Sequence, residues 1–472
     1  MKVGRFFVLA IVVVLLGTGL AEAQSDGFAF TGINFNFTNP GARARGIGGA
    51  FVAIADDSTA ALANPAGLAY LDREVSLEWI RDEEEFPVGQ LTQGGVTNVQ
   101  EFPLWTITPE QDPYRVRATS SSNRLNFGSV LLPLKKNRLT LALSYGVLAD
   151  LESRFEVGDS VVCVDPNGVA TLPGAGQACT FNFQDPASGD IHAQHFGQSV
   201  RYSMKTEVLG AALGYRLGDR WSVGAQVGMG MTDFNGRAEI DRSSAGIDNG
   251  AEVSTGSDED ILFTLGVLYR ADRWGFGLSW RSDSKYDIDN AMLDETGNVD
   301  DDVDPFSGEL TVPGRAAIGV AFYPSDSWVI AAEVTQIPYS NVLSKMTAFR
   351  QQEGVAGIRY RIEDVTEYHL GAEYTQFTDK RGWSVRAGWW RDTTHLPFVN
   401  ESYGNPRDEN PDVAAANLAR AVQSLVRAPF KEDVDHFTLG VGLSSGVVRM
   451  DAAIDWTDNS GTDFLVSGVV YF

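Results

Sequence analysis

The side chains able to do chemistry in this sequence are scattered, and no group of them has the spacing of a reaction centre. Five histidines, His192, His195, His369, His395 and His436, match no zinc-binding pattern. No Gly-x-Ser-x-Gly elbow precedes a helical pattern, so a catalytic serine has no setting and no enzymatic activity is expected. Catalytic residues, metal ligands and cofactor-binding motifs are therefore all expected to be absent. Gly46-Ile47-Gly48-Gly49 has the glycine content of a phosphate loop, but it lacks the strand–loop–helix setting and the lysine, so no coupling to ATP is expected. Binding is the remaining chemistry. Arg281, Arg315, Arg386 and Arg449 fall on one phase of alternating segments, and a guanidinium can hold a carboxylate through two parallel hydrogen bonds. That makes Arg281, Arg315 and Arg386 candidate ligand contacts. Glu333, Glu367, Glu373, Asp451 and Asp455 share the phase, so an ion network among these side chains is the competing reading. Asp56 and Asp57 also need partners if buried, and Arg43, Arg45 or a more distant arginine can supply them.

A scaffold must position these groups, and it begins after a leader. Lys2 and Arg5 precede an unbroken apolar run from Phe6 to Leu16, followed by the small-x-small cleavage site Ala21-Glu22-Ala23. The run is shorter than the ~20 residues of a helical span. Residues 1–23 therefore read as a signal peptide, with Gln24 as the first mature residue. In an exported chain, Cys163 and Cys179 read as a disulfide before they read as a metal site or a nucleophile. No second apolar run follows, which excludes a bundle of membrane helices. The net charge of −25 excludes nucleic acid as a partner; much of the acid sits in polar stretches such as Asp300-Asp301-Asp302-Val303-Asp304.

From residue 73 onward the chain alternates with period two. Trp274, Phe276, Leu278 and Trp280 face away from Gly275, Gly277, Ser279 and Arg281, and Phe437, Leu439, Val441 and Leu443 face away from Thr438, Gly440 and Gly442. Short connections, among them Lys135-Lys136-Asn137, Gly218-Asp219, Ala271-Asp272-Arg273 and Asp379-Lys380-Arg381, alternate with long polar ones such as residues 152–195 and 393–432. Bacterial outer-membrane barrels have this asymmetry, with tight periplasmic turns and long outer loops. Counting through the connections predicts an all-β fold: a transmembrane antiparallel β-barrel of about 14 strands occupying residues 73–472. The last strand ends in Tyr471-Phe472, and Trp79, Tyr269, Trp328, Trp383 and Trp456 lie near strand ends, as interfacial girdles require. A β-sandwich would also bury one face per strand, but it does not demand that every long connection share one end. Residues 196–217 change phase between Met204 and Leu209, which predicts a bulge or kink in that strand. Asn410-Pro411-Asp412 followed by residues 413–426 predicts a capped amphipathic helix in an outer loop.

Residues 24–72 read differently. Gly41 to Asp57 is rich in glycine and alanine, and Asn64-Pro65-Ala66-Gly67 follows as a turn signal. This segment is too small to fold alone, and a barrel interior would supply the partners its backbone needs. Its residues Gly46, Gly48, Gly49, Ala50 and Phe51, then Ala55-Asp56-Asp57-Ser58 and Asn64-Pro65-Ala66-Gly67, resemble the outer-membrane long-chain fatty acid and aromatic hydrocarbon transporters of FadL and TodX type. The likeness in barrel pattern extends over the whole mature chain. It implies a hatch (plug) at residues 24–72 inside the lumen, with Gly46, Gly48, Gly49, Asp56, Asp57, Asn64, Pro65, Ala66 and Gly67 as its gating block. It also implies ligand capture among outer loops, an apolar pocket in the lumen and a sideways exit through the wall. Phe28, Phe30, Phe35, Phe37, Phe51 and Leu62 are the apolar candidates for lining that pocket; anchoring the plug is the other use of each. The expected partners are a hydrophobic small molecule, outer-membrane lipid and lipopolysaccharide, around a monomer in the outer membrane of a Gram-negative bacterium. Long-chain fatty acids come first among ligands and aromatic hydrocarbons next. A secretion-accessory branch shares a similar N-terminal block, so a structural barrel that binds proteins stays open, as does a general porin.

Overall fold

The computed structural model describes residues 37–87, 117–135, 138–157, 160–164, 170–171, 191–195, 197–241, 250–293, 306–342, 360–378, 381–393, 398–399, 433–457 and 461–472. Its strands in chain order begin with β1 (Glu74–Pro87), β2 (Arg117–Lys135) and β3 (Leu139–Val157), then the short β4 (Ser160–Val164), β5 (Ala170–Thr171) and β6 (Ile191–His195). Next come β7 (Gly197–Arg216), β8 (Trp221–Asp241), β9 (Gly250–Arg270), β10 (Trp274–Arg281), β11 (Ser284–Leu293), β12 (Phe306–Val312), β13 (Arg315–Ser325) and β14 (Trp328–Ile337). The last are β15 (Tyr360–Arg361), β16 (Val365–Phe377), β17 (Arg381–Asp392), β18 (Phe398–Val399), β19 (Val434–Ser445), β20 (Val448–Thr457) and β21 (Thr462–Tyr471).

Neighbouring strands pair antiparallel around a ring that runs from β10 through β13, β14, β16, β17, β19, β20, β21, β1, β2, β3, β7 and β8 to β9. β9 pairs back onto β10, so the sheet closes as a barrel of fourteen strands. Closure gives every strand of the ring a neighbour on both sides, which is how a β-structure survives in hydrocarbon. β11 and β12 prolong β10 and β13 past short interruptions at 282–283 and 313–314, in an unbroken register.

The alternation resolves as the sequence predicts. On β10, Trp274, Phe276, Leu278 and Trp280 are exposed, whereas Ser279 and Arg281 are buried. Trp221, Trp274, Trp328 and Trp383 form an exposed aromatic row beside the short turns, and Trp79, Trp280, Tyr368, Phe437 and Phe464 lie further along the strands. Between the rows the outward face carries residues such as Leu265, Leu278, Ile330 and Leu439. A contiguous apolar belt of this extent is untenable in water and suits lipid.

One expectation needs correcting. β7 pairs with β8 without a break from Gly197 to Arg216, and Met204 faces inward with Thr206 and Val208. The register shift lies across the pair, in β3 between Val147 and Ala149. Met204 looked like a phase change because apolar residues occupy both faces of β7 at that height. Phe28, Phe30, Phe35, Cys179, and with it the pairing to Cys163, and the helix expected near residues 410–426 lie outside the described residues.

Candidate functional site

The segment 37–71 fills the lumen, and its sequence explains its path. α1 (Ala42–Gly46) is a short helix that ends because Gly48 and Gly49 have φ of +66° and +79°, values that L side chains avoid. Gly49 N–H donates to the Ala44 carbonyl and Gly48 N–H to that of Arg45, the paired bonds of a Schellman close. α2 (Ala60–Ala63) follows an Asp57 side chain that accepts from Thr59 N–H. Asn64 then caps a 3-10 turn over Pro65–Tyr70 by accepting from Ala66 N–H at 3.2 Å, with Pro65 in the first turn, where its missing donor costs nothing.

Small residues let this backbone approach the wall. A Cβ on Gly388 would overlap Gly48 N, and on Gly371 the Ile47 carbonyl. The same holds for Gly277 against Val52, for Gly224 against Pro65 and Ala66, and for Gly266 against the Asn64 side chain. The glycines that read in sequence as a bland small face are thus the seat of the buried segment. Polar contacts fix its register. Glu333 accepts from Phe51 N–H (2.9 Å), Val52 N–H (2.8 Å) and the Asn39 amide (3.1 Å). Arg270 donates to the Ile54 carbonyl at 2.7 Å, beside Ala55, whose φ of +36° is strained for a residue with a Cβ. His369 Nδ1 lies 2.7 Å from the Gly48 carbonyl oxygen. Asn64 reaches the Val52 and Val267 carbonyls at 2.9 and 3.2 Å, tying the segment to itself and to β9. Asn64→Ala should therefore loosen the segment by about 1–3 kcal/mol, the cost of stranding buried partners. Faster hydrogen exchange at the Ala66 amide, with unchanged exchange in β20, is the expected signature.

Charged groups form two networks. Arg43 pairs with Asp56 and with Glu373 (2.8 Å); Arg386 pairs with Glu373 and Asp451 (2.9 Å); Arg449 joins Asp57 and Asp451, both at 2.8 Å. Burial opposes charge on Asp57, yet Arg449 and Arg43, with the Thr59 hydroxyl, hold its pKa below the ordinary aspartate value. Burial likewise opposes charge on Arg43, but Asp56 and Glu373 more than offset it and keep the guanidinium protonated. The second network centres on Arg45, which meets Asp455 at 3.0 Å and Asp463 at 3.7 Å, while Trp390 and His436 also bond Asp455. Arg43, Asp56, Glu373, Arg386 and Arg449 line a cavity of about 180 Å³ near the short turns, beside Phe377 and Trp383. Its size and polarity suit a few waters, since ligand pockets for drug-sized molecules begin near 300 Å³.

The wall has an interruption close to the segment. β2 and β3 pair at Phe127↔Gly146 and again at Ser120↔Ser153, but residues 121–126 and 147–152 between them make no ladder pairs. Side chains span this seam: Ser122 donates to Asp150 at 2.9 Å and Arg124 lies 3.3 Å from the same carboxylate. Leu62 points at its edge, packing so closely on Gly146 that a Cβ there would overlap it. A second seam, between β9 and β11, is sealed differently: Asp258 and Asp260 accept the N–H groups of Asp287 and Lys285, and Ser282 that of Phe263.

The candidates from sequence thus separate. Gly46, Gly48, Gly49, Asn64, Pro65 and Ala66 are buried in the segment's contact with the wall, Gly67 is buried against Ala55 within the segment, and the buried Asp57 and half-buried Asp56 are held in its ion pairs. Phe51 is fully enclosed in the core with Ile47, Ile54 and Leu68. Arg386 is committed to carboxylates, Arg315 to the Phe37 carbonyl and Asn39, and Arg281 to neither kind of group. Glu333 was legible only as one inward acid among several. Nothing local in the sequence marks it as the acceptor for Phe51 and Val52.

Comparison with known proteins gives a consistent picture. The family described as outer membrane protein transport protein (OMPP1/FadL/TodX) matches residues 160–404. Among solved structures, a Pseudomonas aeruginosa FadL homologue superposes with a TM-score of 0.57 at 15% identity, over 93% of this chain and 99% of that one. The Ralstonia pickettii toluene transporter TbuX gives 0.51 at 14% identity, and the P. putida toluene transporter TodX 0.51 at 15%, each over 93% of this chain and 99% of its own. No curated protein matches the sequence.

Proposed function

Because this chain belongs to the outer membrane protein transport family (OMPP1/FadL/TodX), we propose that it carries hydrophobic small molecules passively into the cell, long-chain fatty acids before aromatic hydrocarbons. Residues 1–23 are the signal peptide in this reading, residues 24–72 the hatch, and residues 73–472 the barrel that places the protein in the outer membrane as a monomer. The outer loops, toward lipopolysaccharide, capture the ligand. It enters the lumen above the hatch and leaves sideways into lipid. A general porin fits poorly with a lumen filled by residues 37–71, whose backbone lies on the wall glycines.

The observation that carries the lateral route is the unpaired stretch between β2 and β3 with Leu62 at its edge. A strand edge left without a ladder is costly in hydrocarbon, and such costs are kept mainly where a site has a use. Leu62 stands where a hatch movement would clear or block that seam. The test is a reducible cross-linker between Leu125→Cys and Leu148→Cys, the positions that the flanking pairs Phe127↔Gly146 and Ser120↔Ser153 set opposite each other. Uptake of a labelled long-chain fatty acid, by cells that lack their own porter, should fall at least tenfold and return on reduction. Undiminished uptake through the cross-linked wall would rule the route out.

A further inference from the structure

Ring closure gathers the cations of the short turns along one side of the barrel. Arg73, Arg138, Arg220 and Arg273 each stand one residue before a strand that leaves the short-turn end, at the starts of β1, β3, β8 and β10. All four hold the same place in the ladder: their carbonyls accept from the N–H groups of Phe472, Arg216, Arg270 and Tyr323 respectively. In ring order these strands alternate with β2, β7 and β9, so a cation recurs at every second strand, about 10 Å apart. Beyond this arc, the turns at 326–327 and 446–447 hold no cation, and Lys380 and Arg381 share theirs with Asp379. Asp72, Asp219 and Asp272 offset part of the arc's charge, while Lys135 and Lys136 add to it. The four arginines are exposed, and none has a carboxylate in ion-pair range among the described residues. On a chain of net charge −25 the arc is an island of the opposite sign.

The side chains show which way the arc faces. Arg138 donates to the Tyr215 hydroxyl at 3.0 Å and lies 5.5 Å over its ring, and Arg220 reaches the Tyr269 hydroxyl at 3.5 Å. Tyr215 shares the outward phase of the exposed Leu213, and the Tyr269 ring lies 4.7 Å from that of the exposed Trp221. Both guanidiniums are thus held at the edge of the lipid-facing belt. Arg216 and Arg270 serve another purpose: they flank the Tyr70 ring, at 5.1 and 4.3 Å, where the buried segment ends. Short turns face the periplasm in an outer-membrane barrel, so the belt's edge there meets the headgroups of the periplasmic leaflet. We propose that the arc binds the phosphates of anionic phospholipids in that leaflet, whose acyl chains run along the exposed Leu213, Leu217, Trp221 and Trp274. Arginine suits this task, because its planar fork grips phosphate oxygens while its stem lies on apolar surface. An acidic periplasmic protein is the competing occupant; the lean of Arg138 and Arg220 onto girdle tyrosines favours lipid. The inference does not depend on which molecule the barrel carries.

The experiment uses native mass spectrometry of the purified full chain in neutral detergent, titrated with phosphatidylglycerol or with phosphatidylcholine of identical acyl chains. Wild type should prefer the anionic lipid by about tenfold or more, since each arginine beside an anionic headgroup layer contributes about fivefold. The preference should shrink as salt rises. The triple variant Arg138→Gln, Arg220→Gln, Arg273→Gln should bring phosphatidylglycerol down to the level of phosphatidylcholine and leave the latter unchanged. The double variant Arg81→Gln, Arg237→Gln, which removes exposed cations nearer the long loops, should keep the wild-type preference. The rim arginines pair with no carboxylate, so heat-modifiable migration of the triple variant on gels should match wild type. Arg220→Gln alone, with a partial loss of preference, gives the same reading from a smaller change. Equal affinity of wild type for both lipids would overturn the proposal, and so would a preference that survives the triple substitution. Displacement of phosphatidylglycerol by poly-glutamate at equal charge would reassign the arc to an acidic protein and overturn the lipid reading too.

Discussion

Gly388→Val should displace the N-terminal segment from the lumen and raise the protein's conductance well above that of wild type. Gly388 lies on β17 between β16 and β19, and a Cβ there would overlap Gly48 N and the Ile47 carbonyl carbon. The obstructing atoms are backbone, so no side-chain rotation can relieve the clash. One of two bodies must yield. The wall is held by continuous ladders on both sides of β17, whereas the segment around Gly48 is held by a Schellman close and a few side-chain bonds. The segment should therefore move, at a cost of about 3 kcal/mol, the upper range for overpacking. Single-channel recording in planar bilayers should show openings several-fold larger or more frequent than wild type, and cells should become sensitive to large hydrophilic antibiotics. Gly468→Val is the control, because a Cβ at Gly468 meets nothing within 4 Å. A Gly388→Val protein that folds and conducts like wild type would show that the segment does not close the lumen.

Glu333→Ala should release the same segment by a different route. The carboxylate is 2% exposed and is the acceptor for Phe51 N–H, Val52 N–H and the Asn39 amide. Its removal strands these buried donors and also takes away an anion near Arg315. Leaving buried partners of a charged group unpaired costs about 3–5 kcal/mol. Hydrogen exchange at the Phe51 and Val52 amides should accelerate by about a hundredfold or more, while the β1–β2 ladder on the far side of the ring keeps its protection. Glu333→Gln should be intermediate, since one amide oxygen remains to accept. Full protection of both amides in the alanine variant would show that the segment is held by packing alone.

Particular residues show where sequence reading reached its limit. The inward phase of Arg281, Arg315, Arg386, Glu333, Glu373 and Asp451 was legible, because side-chain direction in a strand follows from backbone pleat and needs no knowledge of partners. Whether Arg386 meets a ligand or Glu373 was not legible, because that depends on the register between β16 and β17 and on the depth at which Arg43 arrives from a segment 330 residues away. The seam between β2 and β3 was missed for a related reason. Neither strand carries a proline or an unusual glycine run at residues 121–126 or 147–152, and the sequence signal drew attention to β7 instead. A phase break is visible only when one face of a strand is uniform, and β7 has apolar residues on both.

Sequence alone determined the local properties of this protein: the period-two strands with their greasy outer faces, the alternation of short and long connections that fixes an even-numbered barrel, and the glycine block that cannot fold by itself. All of these follow from backbone geometry and composition within one element. Tertiary structure alone decided which strand glycine receives which stretch of the buried segment, which cations are neutralised and which are left without an anion, and where the wall comes unpaired. Those outcomes depend on the closure of the ring, which brings residues hundreds apart to the same height in the lumen, and no local pattern encodes that height.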